Sequence, residues 1–439
     1  MSTEFLKRPD ARPQEVDSEV KRTVEEMIRR IERDGIEAVR DYSQRLDDWD
    51  PPSFRVGEEE VEAATAQVPA ELRDHIAFAQ DQVRTFAESQ RETLSDLEVS
   101  TQPGVVLGHR HIPVAAVGSY VPGGRYPMLA SAFMTVLVAK VAGVERVVAC
   151  APTWQGKGIH PAMLHAISTS GADEILCLGG VQALASMAFG VEDVAPVDML
   201  VGAGNPYVAE AKRQLFGRVG IDLLAGPTEI LVIADDNADP ELVAVDLLGQ
   251  AEHGPTSPAI LISTSGELAE RVMEEVDRLL ESPSTAAVAG QAWRDHGAVA
   301  VVEGREEAIR LADEYAPEHL EIQVDEAELD AYLAGLRNYG SLFLGREATV
   351  AYGDKAVGTN HVLPTARAAR YTGGLWVGKF LKTVTYQRLT AEGTRRVAPS
   401  VAAICDAELF EGHALTARMR LARLSDGDQP QDAHAVAGD

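Results

Sequence analysis

The sequence predicts an α/β protein of two lobes, with helical segments at the amino and carboxyl ends. Two observations carry that expectation. A chain of 439 residues, 45% hydrophobic and 25% charged, is long enough to bury two or more cores. From Val117 onward, short apolar runs alternate with glycine turns and amphipathic stretches, the pattern of parallel strands joined by helical crossovers.

The elements follow in order. Val20, Val24, Met27, Ile28 and Ile31 recur at helical spacing, Gly35 interrupts, and Ile36, Val39, Tyr42 and Leu46 resume the pattern, which predicts a helical hairpin or a kinked helix. Beyond the Pro51-Pro52 break, a stretch with Leu72, Ile76, Val83 and Phe86 reads as helix, and Val105 to Leu107 and Ile112 to Val117 as short strands. Val147 to Cys150, Ile175 to Leu178 and Met199 to Val201 then read as strands, the last two running into Gly179-Gly180 and Gly202-Ala203-Gly204-Asn205. A second series follows: strands at Ile230 to Ile233, Ala259 to Ile262 and Ala298 to Val302, with helices at Glu241 to Glu252 and Leu268 to Leu280. Beyond Leu375 the pattern reads as helical again. The expected division is an arm at 1–22, a discontinuous lobe at 23–119 and 228–375, a second lobe at 120–227, a helical segment at 376–426, and a polar, disordered tail at 427–439.

Composition narrows the function. Lys+Arg 40 against Asp+Glu 68 gives a net charge of −28, a field that repels nucleic acid and anionic lipid and demands a local cation for any anionic substrate. Cys150, Cys177 and Cys405 lie far apart without a CxxC, which argues against a disulfide framework or zinc knuckle. The amino terminus has no apolar core of a signal peptide, and Leu129 to Val144 is interrupted by Lys140 and too short to span a bilayer, so a cytoplasmic protein is expected.

Several segments carry candidate chemistry. Gly202-x-Gly204-Asn205 lacks a third glycine, so a dinucleotide site and a packing turn are both open readings. Gln250 and His253, at i and i+3 near a helix end, suit a metal, although a histidine meeting the helix's last carbonyls is the commoner reason for that pattern. Glu318-His319 sets a carboxylate beside an imidazole, a pair able to divide general-base and general-acid work, and also a common surface pair. Asp354, Asn360 and His361 fall in a glycine-rich polar stretch that reads as a functional loop. His413, in Glu408-Leu409-Phe410-Glu411-Gly412-His413, reads alone as an ordinary helical histidine.

Together, Tyr120-Val121-Pro122-Gly123-Gly124, Gly202 to Asn205, Ala225-Gly226-Pro227-Thr228-Glu229, Gly249 to His253, Tyr315 to Glu321, Gly358 to Thr365 and Glu408 to His413 resemble, in order, the motif series of the histidinol dehydrogenase family. The resemblance implies two Rossmann-like lobes with incomplete dinucleotide motifs, and a homodimer sharing its active sites through the C-terminal segment. It implies a zinc- and NAD-dependent enzyme that oxidises a primary alcohol through an aldehyde to a carboxylate. Gln250, His253, Asp354 and His413 match zinc ligands, His413 coming from the partner subunit. Glu318 matches the residue that activates water, and His319 the one that takes and returns the alcohol proton. Thr228, where the family commonly has serine, together with His361 and Glu408, matches substrate contacts, and the zinc ligands and His319 also face the substrate. Tyr120, Gln182 and Asn205 match NAD contacts, in the 120–227 lobe.

Gly124 followed directly by Arg125-Tyr126-Pro127-Met128, Lys355 after the ligand aspartate, and Ser257-Pro258-Ala259 depart from the usual pattern of the biosynthetic enzymes, and Tyr371 to Phe380 resembles the sulfopropanediol 3-dehydrogenase branch more closely. The substrate this implies is 2,3-dihydroxypropane-1-sulfonate, oxidised to sulfolactate. Lys355, Arg125 or Lys379 would supply its cation. L-histidinol is the alternative substrate, and a non-catalytic metal- or ligand-binding homologue the alternative of another class.

Overall fold

The computed structural model describes residues 3–9, 18–124, 126–191, 193–281 and 286–425. Arg125 and the 427–439 tail lie outside these. In chain order the strands are β1 (Glu4–Lys7), β2 (Leu97–Gln102), β3 (Val105–Pro113), β4 (Ala116–Tyr120), β5 (Arg146–Ala151), β6 (Glu174–Cys177), β7 (Met199–Val201), β8 (Gly220–Ile221), β9 (Ile230–Ala234), β10 (Ala259–Ser263), β11 (Ala298–Val301), β12 (His319–Gln323), β13 (Ser341–Leu344) and β14 (Leu381–Leu389).

The chain divides into two compact units, one of residues 1–92 and 113–380 and one of 93–112 and 381–439. The first holds two sheets. One is five-stranded and parallel, in the order β6-β5-β4-β7-β8. The other is six-stranded, β1-β11-β10-β9-β12-β13, parallel except for β1 at its edge. Strands β4, β9, β10 and β12 are buried at every residue, as expected where helices cover both faces of a parallel sheet.

Two cores flank the six-stranded sheet, one built on Ile230, Val232 and Leu261 with Leu247 and Val272, the other on Leu231, Ile233 and Leu320 with Ala308 and Tyr332. The alternation along β9 sends successive side chains to opposite faces. The amino-terminal hairpin comprises helices Ser18–Asp34 and Ile36–Asp47, broken at Gly35, whose φ of 58° sits in the left-handed region. The sequence reading groups it with the six-stranded sheet, but its apolar stripe, Val24, Met27, Ile31 and Val39, packs in the core of the five-stranded one. The chain beyond it then runs beside β6: Cys177 N–H donates to Phe54 O at 2.7 Å, and Trp49 Nε1 to Cys177 O at 3.0 Å. The arm at the start of the chain supplies β1, which joins the six-stranded sheet through β11.

The second unit holds the three-stranded sheet β14-β3-β2 and two helices, Ala391–Ala407 and Glu411–Ser425, packed on each other. The helical reading beyond Leu375 is corrected by β14. Its sequence, LKTVTYQRL, is mostly exposed and polar, so no buried apolar run marks it, although Thr, Val and Tyr suit a strand.

Candidate active site

Strands β9 and β12 pair in register from Ile230 and His319, so the residues just before them, Thr228-Glu229 and Glu318, meet at the amino ends of two central strands. This is the opposite end from the one where open α/β sheets usually bind ligands. Ala316, with φ 49°, ends the preceding helix in a left-handed cap and turns the chain into Pro317 and Glu318.

Glu318 is buried, and one carboxylate oxygen collects both its hydrogen bonds: Thr228 Oγ1 donates to Oε2 at 2.6 Å and Glu229 N–H at 3.0 Å. Burial pushes the Glu318 pKa up to about 6, against the opposing charge of His319 and these two donors. His319 is also buried. Its Nδ1 lies 3.0 Å from Glu229 O, to which it donates, and its Nε2 lies 3.5 Å from Asp354 Oδ1 without a hydrogen-bond partner. Burial alone would lower this imidazole, but the Glu318 and Asp354 carboxylates outweigh it and raise the pKa to about 9. The same contact outweighs the burial of Asp354 and lowers its carboxyl to about 2.

Asp354 lies on a short helix, Val350–Lys355, where the sequence predicts a loop. His361 follows in the irregular stretch beyond. Its Nδ1 lies 3.2 Å from Asp354 O and its Nε2 2.8 Å from Ser131 Oγ, a pairing that fits a neutral ring donating from Nδ1 and accepting at Nε2. Burial lowers its pKa to about 4, which keeps that form. Asn360 Nδ2 donates to Met134 O at 2.8 Å, so this stretch docks on the chain that follows β4.

At the other end of the cluster, Thr228 Oγ1 lies 3.5 Å from the Oε1 of buried Gln250. His253 falls just past the Pro240–Ala251 helix, and its Nδ1 lies 3.3 Å from Gln250 O. That leaves Nε2 as its remaining donor atom, the arrangement metal-binding histidines adopt when a backbone carbonyl holds the other nitrogen. An amide oxygen, an imidazole nitrogen and an ionised carboxylate suit a divalent cation such as zinc. Among the described residues no three His, Cys, Asp or Glu side chains cluster in ligand geometry. The expected set draws only His253 and Asp354 of those types from this unit.

Contacts therefore link Thr228, Gln250, His253, Glu318, His319, Asp354 and His361, which the sequence could name but not assemble. Lys355 ends the same short helix, exposed, and its charge helps lower both Asp354 and His361. Lys379 Nζ instead donates to Thr372 Oγ1 at 2.8 Å. Glu408 and His413 belong to the second unit, at the cap of one helix and in the first turn of the next. Ser131, Glu229, Asp246 and Glu321 also serve this neighbourhood, and nothing in the sequence singles them out beyond the motifs that contain Glu229 and Glu321.

The candidate cofactor residues gather on the five-stranded sheet. Tyr120 ends β4 and Gly202 follows β7, and between these two strands the sheet order reverses, the usual place for a nucleotide. Gly202 has φ 112°, and a Cβ there would sit 2.2 Å from Tyr120 O, so only glycine fits. Tyr120 OH accepts from Gly180 N–H at 3.3 Å, and burial pushes its pKa up. Asn205 Oδ1 accepts from Tyr207 and Val208 N–H, occupying helix-end donors that a complete dinucleotide motif leaves to phosphate. Gln182 Nε2 donates to Asp47 Oδ2 at 2.9 Å, while its Oε1 is buried without a partner. An unused acceptor beside a glycine turn suits a ligand bringing donors of its own.

One of the two sheets thus carries the buried Glu318-His319 pair at its strand ends, and the other a switch point of the kind that takes a nucleotide. The histidinol dehydrogenase profile matches residues 10–421. The chain is 54% identical to a histidinol dehydrogenase homolog of Shouchella clausii over 92% of its length and 95% of that protein's. It is 48% identical to a sulfopropanediol 3-dehydrogenase of Ruegeria pomeroyi, over 96% and 97% respectively. The crystal structure of histidinol dehydrogenase from Elizabethkingia anophelis superposes with a TM-score of 0.89 at 32% identity, covering 94% of this chain and 95% of that one. This chain belongs to the histidinol dehydrogenase family, whose members are NAD-linked dehydrogenases that generally bind zinc. Among the described residues no helix is long and apolar enough to cross a membrane.

Proposed function

We propose that this chain oxidises the primary alcohol of 2,3-dihydroxypropane-1-sulfonate to the carboxylate of sulfolactate in two NAD-linked steps. The observation that carries the reaction type is the Glu318-His319 pair, buried together and held by Thr228 and Glu229. The reaction balances as one alcohol, two NAD+ and one water giving one carboxylate, two NADH and three protons.

His319, in the neutral form it reaches as pH rises through about 9, takes the hydroxyl proton at Nε2 as hydride leaves the carbinol carbon, with its Nδ1 anchored on Glu229 O. Glu318, once ionised, removes a proton from the water that adds to the aldehyde carbon, and Thr228 and Glu229 N–H aim its carboxylate. Gln250, His253 and Asp354, with His413 of a second subunit, would hold a zinc ion, which supplies Lewis acidity toward the substrate oxygen. Tyr120, Gln182 and Asn205 place the nicotinamide cofactor, and His361 orients the substrate.

The sulfonate reading is supported by the 48% identity to the sulfopropanediol enzyme and by Lys355. That exposed cation lies next to Asp354 on a chain of net charge −28, and its charge already reaches His361. L-Histidinol is the second reading, favoured by the 0.89 TM-score to a histidinol dehydrogenase. Comparing kcat/KM for the two alcohols decides between them. A preference for the sulfonate that collapses in Lys355→Ala supports the first reading. A preference for histidinol unaffected by that change supports the second.

A further inference from the structure

The Pro240–Ala251 helix, strand β12 and the Val350–Lys355 helix each carry a residue assigned to the site: Gln250, His319 and Asp354. These three elements also share a second group of side chains, which the proposed reaction does not use. Glu321, two residues along β12 from His319, is 0% exposed. Its Oε1 accepts Val350 N–H, the first amide of the short helix, at 2.8 Å. Its Oε2 finds no N–H or hydroxyl donor and faces the carboxyl of Asp246, one helical turn before Gln250. Asp246 Oδ1 in turn accepts from Thr349 Oγ1 at 2.9 Å, and Thr349 caps the same short helix through Ala351 N–H.

We infer that Asp246 and Glu321 hold one proton between them and act as a clamp, fixing the Val350–Lys355 helix to β12 and the Pro240–Ala251 helix so that Asp354 is presented to His319 beside Gln250. Glu321 is wholly buried and Asp246 half-buried, so two ionised carboxylates would repel there, and one proton turns that repulsion into a hydrogen bond. Both groups titrate above the ordinary carboxylate range, through burial first and mutual repulsion in Glu321. The short helix has only six residues and is too short to hold its own position. Removing one partner of such a pair leaves a buried polar group unpaired, whereas an amide in place of one acid keeps every bond, because its N–H₂ donates where the shared proton was.

Asp246 and Glu321 are thus positioning residues. The experiment compares Glu321→Gln and Asp246→Asn with Glu321→Ala in the full chain, reading hydrogen–deuterium exchange in the 350–355 segment and zinc affinity by competition with a chelator. The amide variants should match the parent in both. Glu321→Ala should exchange at least tenfold faster in that segment, with the Gly266–Leu279 helix unchanged, and should lose about 10- to 100-fold in zinc affinity. Parent-like exchange at 350–355 in Glu321→Ala would overturn the clamp, as would amide variants as impaired as the alanine. If Glu321→Ala does not fold, Asp246→Ala, which keeps the Val350 bond, takes its place with the same two outcomes. The zinc arm rests on Asp354 being a ligand. The exchange arm does not, so a parent that binds no zinc would sink the ligand assignment while the clamp stands or falls on exchange.

Discussion

His319 Nε2 stands 3.5 Å from Asp354 Oδ1, between a strand and a short helix 35 positions apart in the chain.

Glu318 is aimed by two donors and titrates near 6. A base must be ionised to act, so oxidation of added aldehyde should rise as pH climbs through about 6 and level off above it. Glu318→Gln should abolish that rise and slow aldehyde oxidation by about 10²- to 10⁴-fold, while oxidation of the alcohol falls far less. Equal losses in both steps, measured by single-turnover NADH formation, would contradict the division of labour.

Burial, followed by the nearby Glu318 charge, raises the Glu229 carboxyl to about 7. The unfolded chain releases this proton near 4.5 and the folded chain only near 7, so the group costs stability progressively as pH rises through that window. Glu229→Gln keeps the acceptor for Ala366 N–H. Its thermal midpoint should equal the parent's near pH 4 and exceed it increasingly up to pH 8. A difference that stays constant with pH would refute the assignment.

Lys212 and Asp222 form a buried ion pair, 2% and 0% exposed at their side chains, that ties down the Gly202 turn. Lys212 Nζ donates to Gly202 O at 2.8 Å, and Gly202 N–H to Asp222 Oδ2 at 2.7 Å. Lys212→Met strands a buried carboxylate and should cost about 3–5 kcal/mol in urea unfolding. The KM for NAD should rise well beyond that for the alcohol, because the turn lies at the sheet's switch point. Equal changes in both constants would detach this pair from cofactor binding.

Much of the fold was legible because parallel strands buried on both faces leave continuous apolar runs: ILVIA in β9 and AILIS in β10 mark themselves. Strand β12 did not, since HLEIQ places His319, Glu321 and Gln323 inside the protein, where polar groups are tolerated only with partners that a sequence does not show. Glu318 and His319 were visible as a dipeptide and Gln250 and His253 as a helix-end pair, but the pairing of Ser131 with His361 spans 230 positions. Nothing in the sequence marks Lys212 and Asp222, because charges in an amphipathic helix and a loop ordinarily face water.

The most direct measurement supplies zinc-loaded protein with excess NAD and limiting 2,3-dihydroxypropane-1-sulfonate, and counts NADH formed per sulfonate consumed. Two are expected, with sulfolactate as the product and no aldehyde accumulating. One NADH per sulfonate with free aldehyde left behind would contradict the four-electron chemistry, and no turnover of the sulfonate alongside two NADH per L-histidinol would contradict the substrate.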